Sequence, residues 1–179
     1  MTEELFDIVT EEDIVTHQAP RSVAHTEGLW HRGVHVLLFD DSGRMLVQQR
    51  SRTRVHAPLA LDCSVSEHVR AGETYLQAAV RGLREELDIE GVELSPLLKF
   101  KMNYGPNDNE ISVIYRSILD RQTIRFDPEE VERVDFFSPA QLQERLSAEP
   151  HAFSYWFMQI LLWHFGQPSA LQPLAIFTK

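Results

Sequence analysis

The chain contains one cysteine, Cys63. A single thiol excludes an internal disulfide, a cysteine-based zinc finger and a paired-thiol redox centre. Basic residues are also in deficit: 17 Lys and Arg stand against 27 Asp and Glu, a formal charge of −10 with His neutral. That balance disfavours non-specific binding to nucleic acid or to an anionic membrane. Long apolar runs are missing too. The best candidate, residues 157–165, is interrupted by Gln159 and His164 and is too short to cross a bilayer. No apolar leader follows Met1, so the expectation is a cytoplasmic protein with neither nucleic acid nor membrane as partner. There is no internal repeat and no low-complexity tract.

What is present suits one folded domain. Hydrophobic residues make up 43% and charged residues 25% of 179 positions, a globular composition. Residues 6–15 read as a hairpin around Thr10–Asp13, ended by Pro20. Residues 34–39 and 45–49 read as strands joined by the turn-forming Asp40, Asp41, Ser42 and Gly43. Further strands are expected over 59–65, 97–101, 111–119 and 131–137, with a polar loop over 103–110. Ser138 and Pro139 open a helix running to about Leu146. A buried helix is expected over 153–165. The pattern implies an α/β fold, a mixed β-sheet sandwiched between helices. The expected organisation is an amino-terminal extension (1–30), a main domain (31–165) and a carboxy-terminal tail (166–179).

The strongest helix covers residues 72–90. Leu76, Val80, Leu83 and Leu87 recur at helical spacing and predict its buried stripe. Gly82, Glu85 and Glu86 then fall on the opposite side. Thr74 with Gln77 three residues later forms a capping box. Adjacent carboxylates on a rigid element suit Mg²⁺ or Mn²⁺, which take oxygen ligands.

The string Gly72-Glu73-Thr74, Ala78-Ala79-Val80-Arg81, Leu83-Arg84-Glu85-Glu86-Leu87-Asp88-Ile89 resembles the signature of the Nudix hydrolase family. The resemblance implies the Nudix fold and a divalent ion, Mg²⁺ or alternatively Mn²⁺, that activates water against a diphosphate. Glu86 and Glu85 become metal ligands. Arg81 orients the acids, and Glu73 braces the loop entering the helix. Three positions depart from the signature. Gly82 stands where a metal-binding Glu is expected, Glu67 where a Gly precedes the helix, and Asp88 where a Gly closes it. Glu67 is a candidate to replace the missing carboxylate.

His25, His31 and His68, with Asp108 and Glu110, resemble a second pattern, that of type 1 isopentenyl-diphosphate isomerase, itself a Nudix-fold enzyme. That likeness implies a metal site that includes His68 and Glu110, supported by Asp108. It breaks at the reacting thiol. Ser66 stands at that position, and Cys63 is out of register.

Arg50, Arg52 and Arg54 alternate after a strand and are candidates for binding phosphate oxygens. Glu110 is a further ligand or the general base, with Glu129 and Glu130 as other candidates for the base. Trp30, Tyr104 and Phe100 are candidates for an aromatic wall. The leading expectation is a hydrolase that cleaves a diphosphate bond in a small phosphorylated substrate, such as a nucleoside di- or triphosphate. The alternatives are a catalytically weakened Nudix domain that binds such ligands, and an isomerase-like enzyme. Surface outside the signature core leaves room for a homodimer.

Overall fold

The computed structural model describes residues 3–119 and 124–177. Two antiparallel strands, β1 (Leu5–Val9) and β2 (Val15–Pro20), make a separate amino-terminal hairpin. Helix α1 (Arg21–Glu27) follows and ends on Gly28 at φ +66°, a left-handed turn that glycine takes without strain.

The main sheet has eight strands. Strand β3 (His31–Phe39) runs parallel to β8 (Asp108–Ile118) over its whole length. Strand β8 pairs with β7 (Ser95–Gly105), which pairs in turn with β10 (Gln172–Ile176) at the edge. On the other side, β6 (Val65–His68) pairs with the first half of β3, and β4 (Met45–Arg50) joins its far end. Strands β5 (Leu61–Asp62) and β9 (Val131–Phe137) flank β4.

Helix α2 (Tyr75–Leu87) covers one face through Ala78, Ala79, Leu83 and Leu87, packed with Val34, Val36, Val65 and Val113. Helices α3 (Pro139–Ala148) and α4 (Tyr155–His164), joined across a 3₁₀ turn at Pro150–Ala152, cover the other face with Phe153, Phe157, Ile160 and Leu161. The mixed sheet is therefore layered between helices, as the element pattern implied.

Local sequence explains most boundaries. Thr74 and Ser138 each form a full capping box, with Gln77 and Gln141 respectively. Gly43, at φ +76°, closes the β3–β4 turn. Asp88 ends α2 in the left-handed conformation in place of the glycine of the signature, and its N–H reaches the carbonyls of Arg84 and Leu83.

Three expectations need correction. The region 103–110 is a tight β7–β8 hairpin rather than a long loop. The single strand expected over 59–65 is two, β5 and β6, with different partners. The buried stripe of α2 is rotated: Leu76 and Val80 are about half exposed, whereas Gly82, Glu86 and the two alanines face the sheet. Small residues let the helix approach the sheet closely, so they take the inner face although they add little apolar weight.

Candidate metal centre and substrate cleft

The parallel register sets His31 on β3 directly beside Glu110 on β8. The antiparallel pairing of β6 with β3 brings His68 next to Gly33. Helix α1 brings His25, and the β7–β8 turn brings Asp108. His68 Nε2 stands 3.4 Å from Glu110 Oε1, and His31 Nε2 stands 3.7 Å from the same oxygen. His25 Nδ1 stands 3.3 Å from Asp108 Oδ1. Phe6 stacks on both His31 and His68, with ring centroids at 5.3 and 4.9 Å.

The donor geometry fits a cation. His31 is fully buried, and its Nδ1 lies 2.9 Å from the Leu29 carbonyl. A carbonyl only accepts, so the proton sits on Nδ1 and the Nε2 lone pair is free, the usual arrangement of a metal-bound histidine. His25 Nε2, His31 Nε2 and Asp108 Oδ1 are buried and have no hydrogen-bond partner among the described residues. Buried polar atoms are ordinarily satisfied, and here three of them converge. The ligand atoms of His25, His31 and His68 lie within 4.8 Å of one another, as do those of His31, Asp108 and Glu110. Burial lowers the His31 pKa and so favours the neutral, ligating imidazole. Burial alone would raise the Glu110 pKa, but the hydrogen bond from His68 outweighs it and holds the carboxylate ionised.

Gly33 matters to this centre. A Cβ there would come within 2.3 Å of Glu110 Oε2 and 2.8 Å of Ser112 Oγ. The missing side chain makes the space that the carboxylate occupies.

The centre forms one wall of a cleft of about 300 Å³ lined by Arg21, Arg54, His56, Ser66, Tyr104 and Trp156 among others. The three arginines expected to bind phosphate divide in the structure. Arg54 lines the cleft and pairs with Glu130. Arg50 also lines it, but its Nη1 donates to the buried Asp62 at 2.8 Å and its guanidinium lies over Trp156. Arg52 lies outside the cleft lining and pairs with Glu132.

The α2 residues lie on the neighbouring side of β6. Arg81 is 7% exposed and holds Glu73, Glu67, Glu85 and the His68 carbonyl. Glu73 also accepts from the Arg70 backbone N–H at 2.9 Å. Glu85 is 41% exposed at its side chain and sits among Arg70, Arg81 and Arg84. Glu86 is 6% exposed, contrary to the solvent-facing position its spacing implied. Its Oε2 accepts from Gln48 Nε2 at 3.0 Å, while Oε1 is buried without a partner among the described residues. Burial, reinforced by the charge of Glu67, drives its pKa well above the carboxylate range. A cation beside Oε1 would reverse that shift, so Glu86 also fits an ion.

A NUDIX domain model matches residues 29–157. The chain belongs to the Nudix family. An uncharacterized Nudix hydrolase of Streptomyces coelicolor is 36% identical over 145 residues, which cover 80% of this chain and 80% of that protein. The isopentenyl-diphosphate Delta-isomerase of the same organism is 32% identical over 163 residues, 88% of this chain and 81% of the isomerase. Among solved structures, a Deinococcus radiodurans protein aligns with a TM-score of 0.70 at 29% identity, covering 82% of this chain and 90% of its own. Nudix relatives of both the hydrolase and the isomerase type therefore resemble this chain.

The Nudix comparison sharpens the question of Gly82. A Cβ built there would come within 2.7 Å of Val65 Cγ1 and 2.9 Å of Glu67 Cγ. Glu67 already fills the volume that a side chain at position 82 would need. We expect Gly82→Glu to destabilise the fold by about 1–3 kcal/mol through overpacking, without strengthening divalent-ion binding. Urea unfolding beside calorimetric Mg²⁺ titration checks this. Unchanged stability with tighter Mg²⁺ binding would mean that the site has room for the signature carboxylate after all.

Sequence reasoning missed Arg21, Asp62 and Trp156. Asp62 carries no local signal, and its partners lie up to 94 positions away.

Proposed function

We propose that this protein is a divalent-metal-dependent hydrolase that cleaves a diphosphate bond in a small phosphorylated molecule, with nucleoside di- and triphosphates and related conjugates as the first substrates to test. The observation that carries the reading is the convergence of three orphaned buried atoms, on His25, His31 and Asp108, at the wall of a cleft shared with Arg21 and Arg54. Five residues would hold the ion: His25, His31, His68, Asp108 and Glu110. Three imidazoles with two carboxylates suit Mn²⁺ better than Mg²⁺, whereas the oxygen ligands Glu86 and Glu67 suit Mg²⁺. When bound, such an ion polarises a phosphoryl oxygen and lowers the pKa of water.

The chain's own groups supply the rest. Arg54 and Arg21 present guanidinium groups to phosphate oxygens, with Arg54 exchanging its Glu130 partner for the substrate. Ionised Glu110 accepts a proton from water or completes the ligand set. Arg81 fixes Glu67 and the His68 backbone and touches no substrate. In this reading residues 31–165 form the catalytic body, and the extension 1–30 contributes His25 and Phe6 to it.

The test is a panel of nucleoside diphosphates, nucleoside triphosphates, sugar nucleotides and dinucleotides, assayed with Mg²⁺ and then with Mn²⁺. The expected result is release of phosphate or a nucleoside monophosphate from at least one member, stopped by a chelator. Folded protein that turns over no member would sink the reading.

A second reading, isomerase-like chemistry, is favoured by the same His and acid cluster. It requires an acid–base group where the alkene would lie. Ser66 stands there with a weakly acidic hydroxyl, while Cys63 is fully buried in the core against α3 and α4, its thiol pKa raised by burial.

A further inference from the structure

The inner end of the cleft holds a connected file of polar side chains. Ser66 Oγ lies 3.1 Å from His35 Nδ1, and His35 Nε2 lies 3.3 Å from Tyr104 Oη. All three residues line the cleft. Ser66 Oγ is also 3.2 Å from Asp62 Oδ1, which anchors the file to the buried Asp62–Arg50 pair. Trp156 closes the same end, its Nε1 donating to Asp62 at 2.6 Å and its ring edge-on to Tyr104.

We infer that Ser66, positioned by His35 and Tyr104, is a specificity-determining residue, and that the organic group of the substrate carries a hydroxyl or equivalent hydrogen-bonding function where a prenyl substrate would present bare hydrocarbon. This deepens the proposed function and rests on its placing the diphosphate between the metal centre and Arg21 and Arg54.

Ser66 Oγ gives its proton to the Asp62 carboxylate, so His35 Nδ1 donates to Ser66 and His35 Nε2 accepts from Tyr104 Oη. The file therefore turns lone pairs of Ser66 Oγ and Tyr104 Oη to the cleft, where they accept from a hydroxyl on the ligand. Burial lowers the His35 pKa and keeps the ring neutral, so the file is a relay of dipoles and not a fixed charge. A hydrocarbon seated against Ser66 would strip water from Ser66 Oγ and Tyr104 Oη and return nothing. Sites built to hydrogen-bond a substrate hydroxyl reject the analogue lacking it far more strongly than apolar pockets discriminate by size.

The test compares two ligands of equal carbon count, a hydroxyalkyl diphosphate and isopentenyl diphosphate, by calorimetry on the metal-loaded full chain. The wild type is expected to bind the hydroxylated ligand at least about 30-fold more tightly. Ser66→Ala and Tyr104→Phe should each reduce that ratio to within about threefold, acting on Kd and KM more than on kcat. His35→Asn should give an intermediate ratio. Circular dichroism melts of each variant separate this outcome from unfolding, and Tyr104→Phe, which removes one oxygen, serves if Ser66→Ala is unstable. Equal affinity for the two ligands in the wild type, or an unchanged ratio in both folded variants, would overturn the inference. Selective binding without any turnover would instead defeat the hydrolase reading and leave the specificity reading standing. Turnover without selectivity would do the reverse.

Discussion

Glu110→Gln is expected to lower turnover by about 10²-fold or more, the scale of a lost electrostatic group in an active site, and to weaken divalent-ion affinity in parallel. The substitution keeps size and shape, so the effect isolates the charge. Glu110 faces His68 Nε2 and His31 Nε2, accepts from Ser112 Oγ at 3.1 Å and lies in the space left by Gly33. An amide there keeps one acceptor and can turn its NH₂ towards His31 Nε2, which presents a lone pair. Metal-free stability should change little, because the amide can still accept from Ser112. Calorimetric titration with Mn²⁺ beside the turnover assay reads both quantities. Wild-type metal affinity in the variant would remove Glu110 from the centre and shift attention to Glu86 and Glu67.

The largest effect on stability is expected at Asp62, a residue with no role in the proposed chemistry. Its carboxylate is fully buried. Oδ1 receives the Cys63 N–H at 2.7 Å, Trp156 Nε1 at 2.6 Å, Ser154 Oγ at 3.1 Å and Ser66 Oγ at 3.2 Å, while Oδ2 receives Arg50. Asp62→Ala leaves the Arg50 guanidinium, 10% exposed at its side chain, without its counter-ion. Breaking a buried pair from one side costs about 3–5 kcal/mol, and a loss in that range should appear in urea unfolding. Since Ser154 caps α4 and Trp156 lies in its first turn, the same substitution should loosen the inner end of the cleft. The metal centre, built from α1, β3, β6 and β8, should keep its ion affinity. A cost below about 1 kcal/mol would show that water or a rearranged Arg50 replaces the lost carboxylate.

How much of this was legible in the chain depended on distance along it. The Nudix-like helix was readable because its cap, arginine and acids lie within one contiguous element, whose periodicity and spacing are local properties. The orientation of that helix was not. Leu76 and Val80 carry the apolar weight, yet they lie about half exposed. The inner face belongs to Ala78, Ala79, Gly82, Leu83 and Leu87, and the bare Gly82 leaves room for Val65 and Glu67. Glu86 therefore points into the protein, where its charge is costly without a cation.

The histidines were legible as a centre only through the family resemblance, not from their spacing. Their convergence depends on the parallel β3–β8 register and the antiparallel β3–β6 register, which place Glu110 and His68 on either side of β3. Periodicity does not encode which strands become neighbours. The basic segment after β4 shows the same limit. Arg50, Arg52 and Arg54 alternate in sequence, but Asp62, Glu132 and Glu130 each claim one of them. Only Arg50 and Arg54 reach the cleft.

The most direct test of the central claim follows the phosphorus. Phosphorus NMR of the Mg²⁺-loaded protein in ¹⁸O-enriched water, with the tightest-binding diphosphate from the substrate panel, reports which bond breaks and where the new oxygen comes from. The account predicts a metal-dependent loss of the diphosphate signals and a phosphate product shifted by solvent ¹⁸O, both absent in Glu110→Gln. Diphosphate signals that persist unchanged while the ligand is bound, with deuterium entering the carbon skeleton when the solvent is heavy water, would contradict hydrolysis and assign the cleft to carbon chemistry.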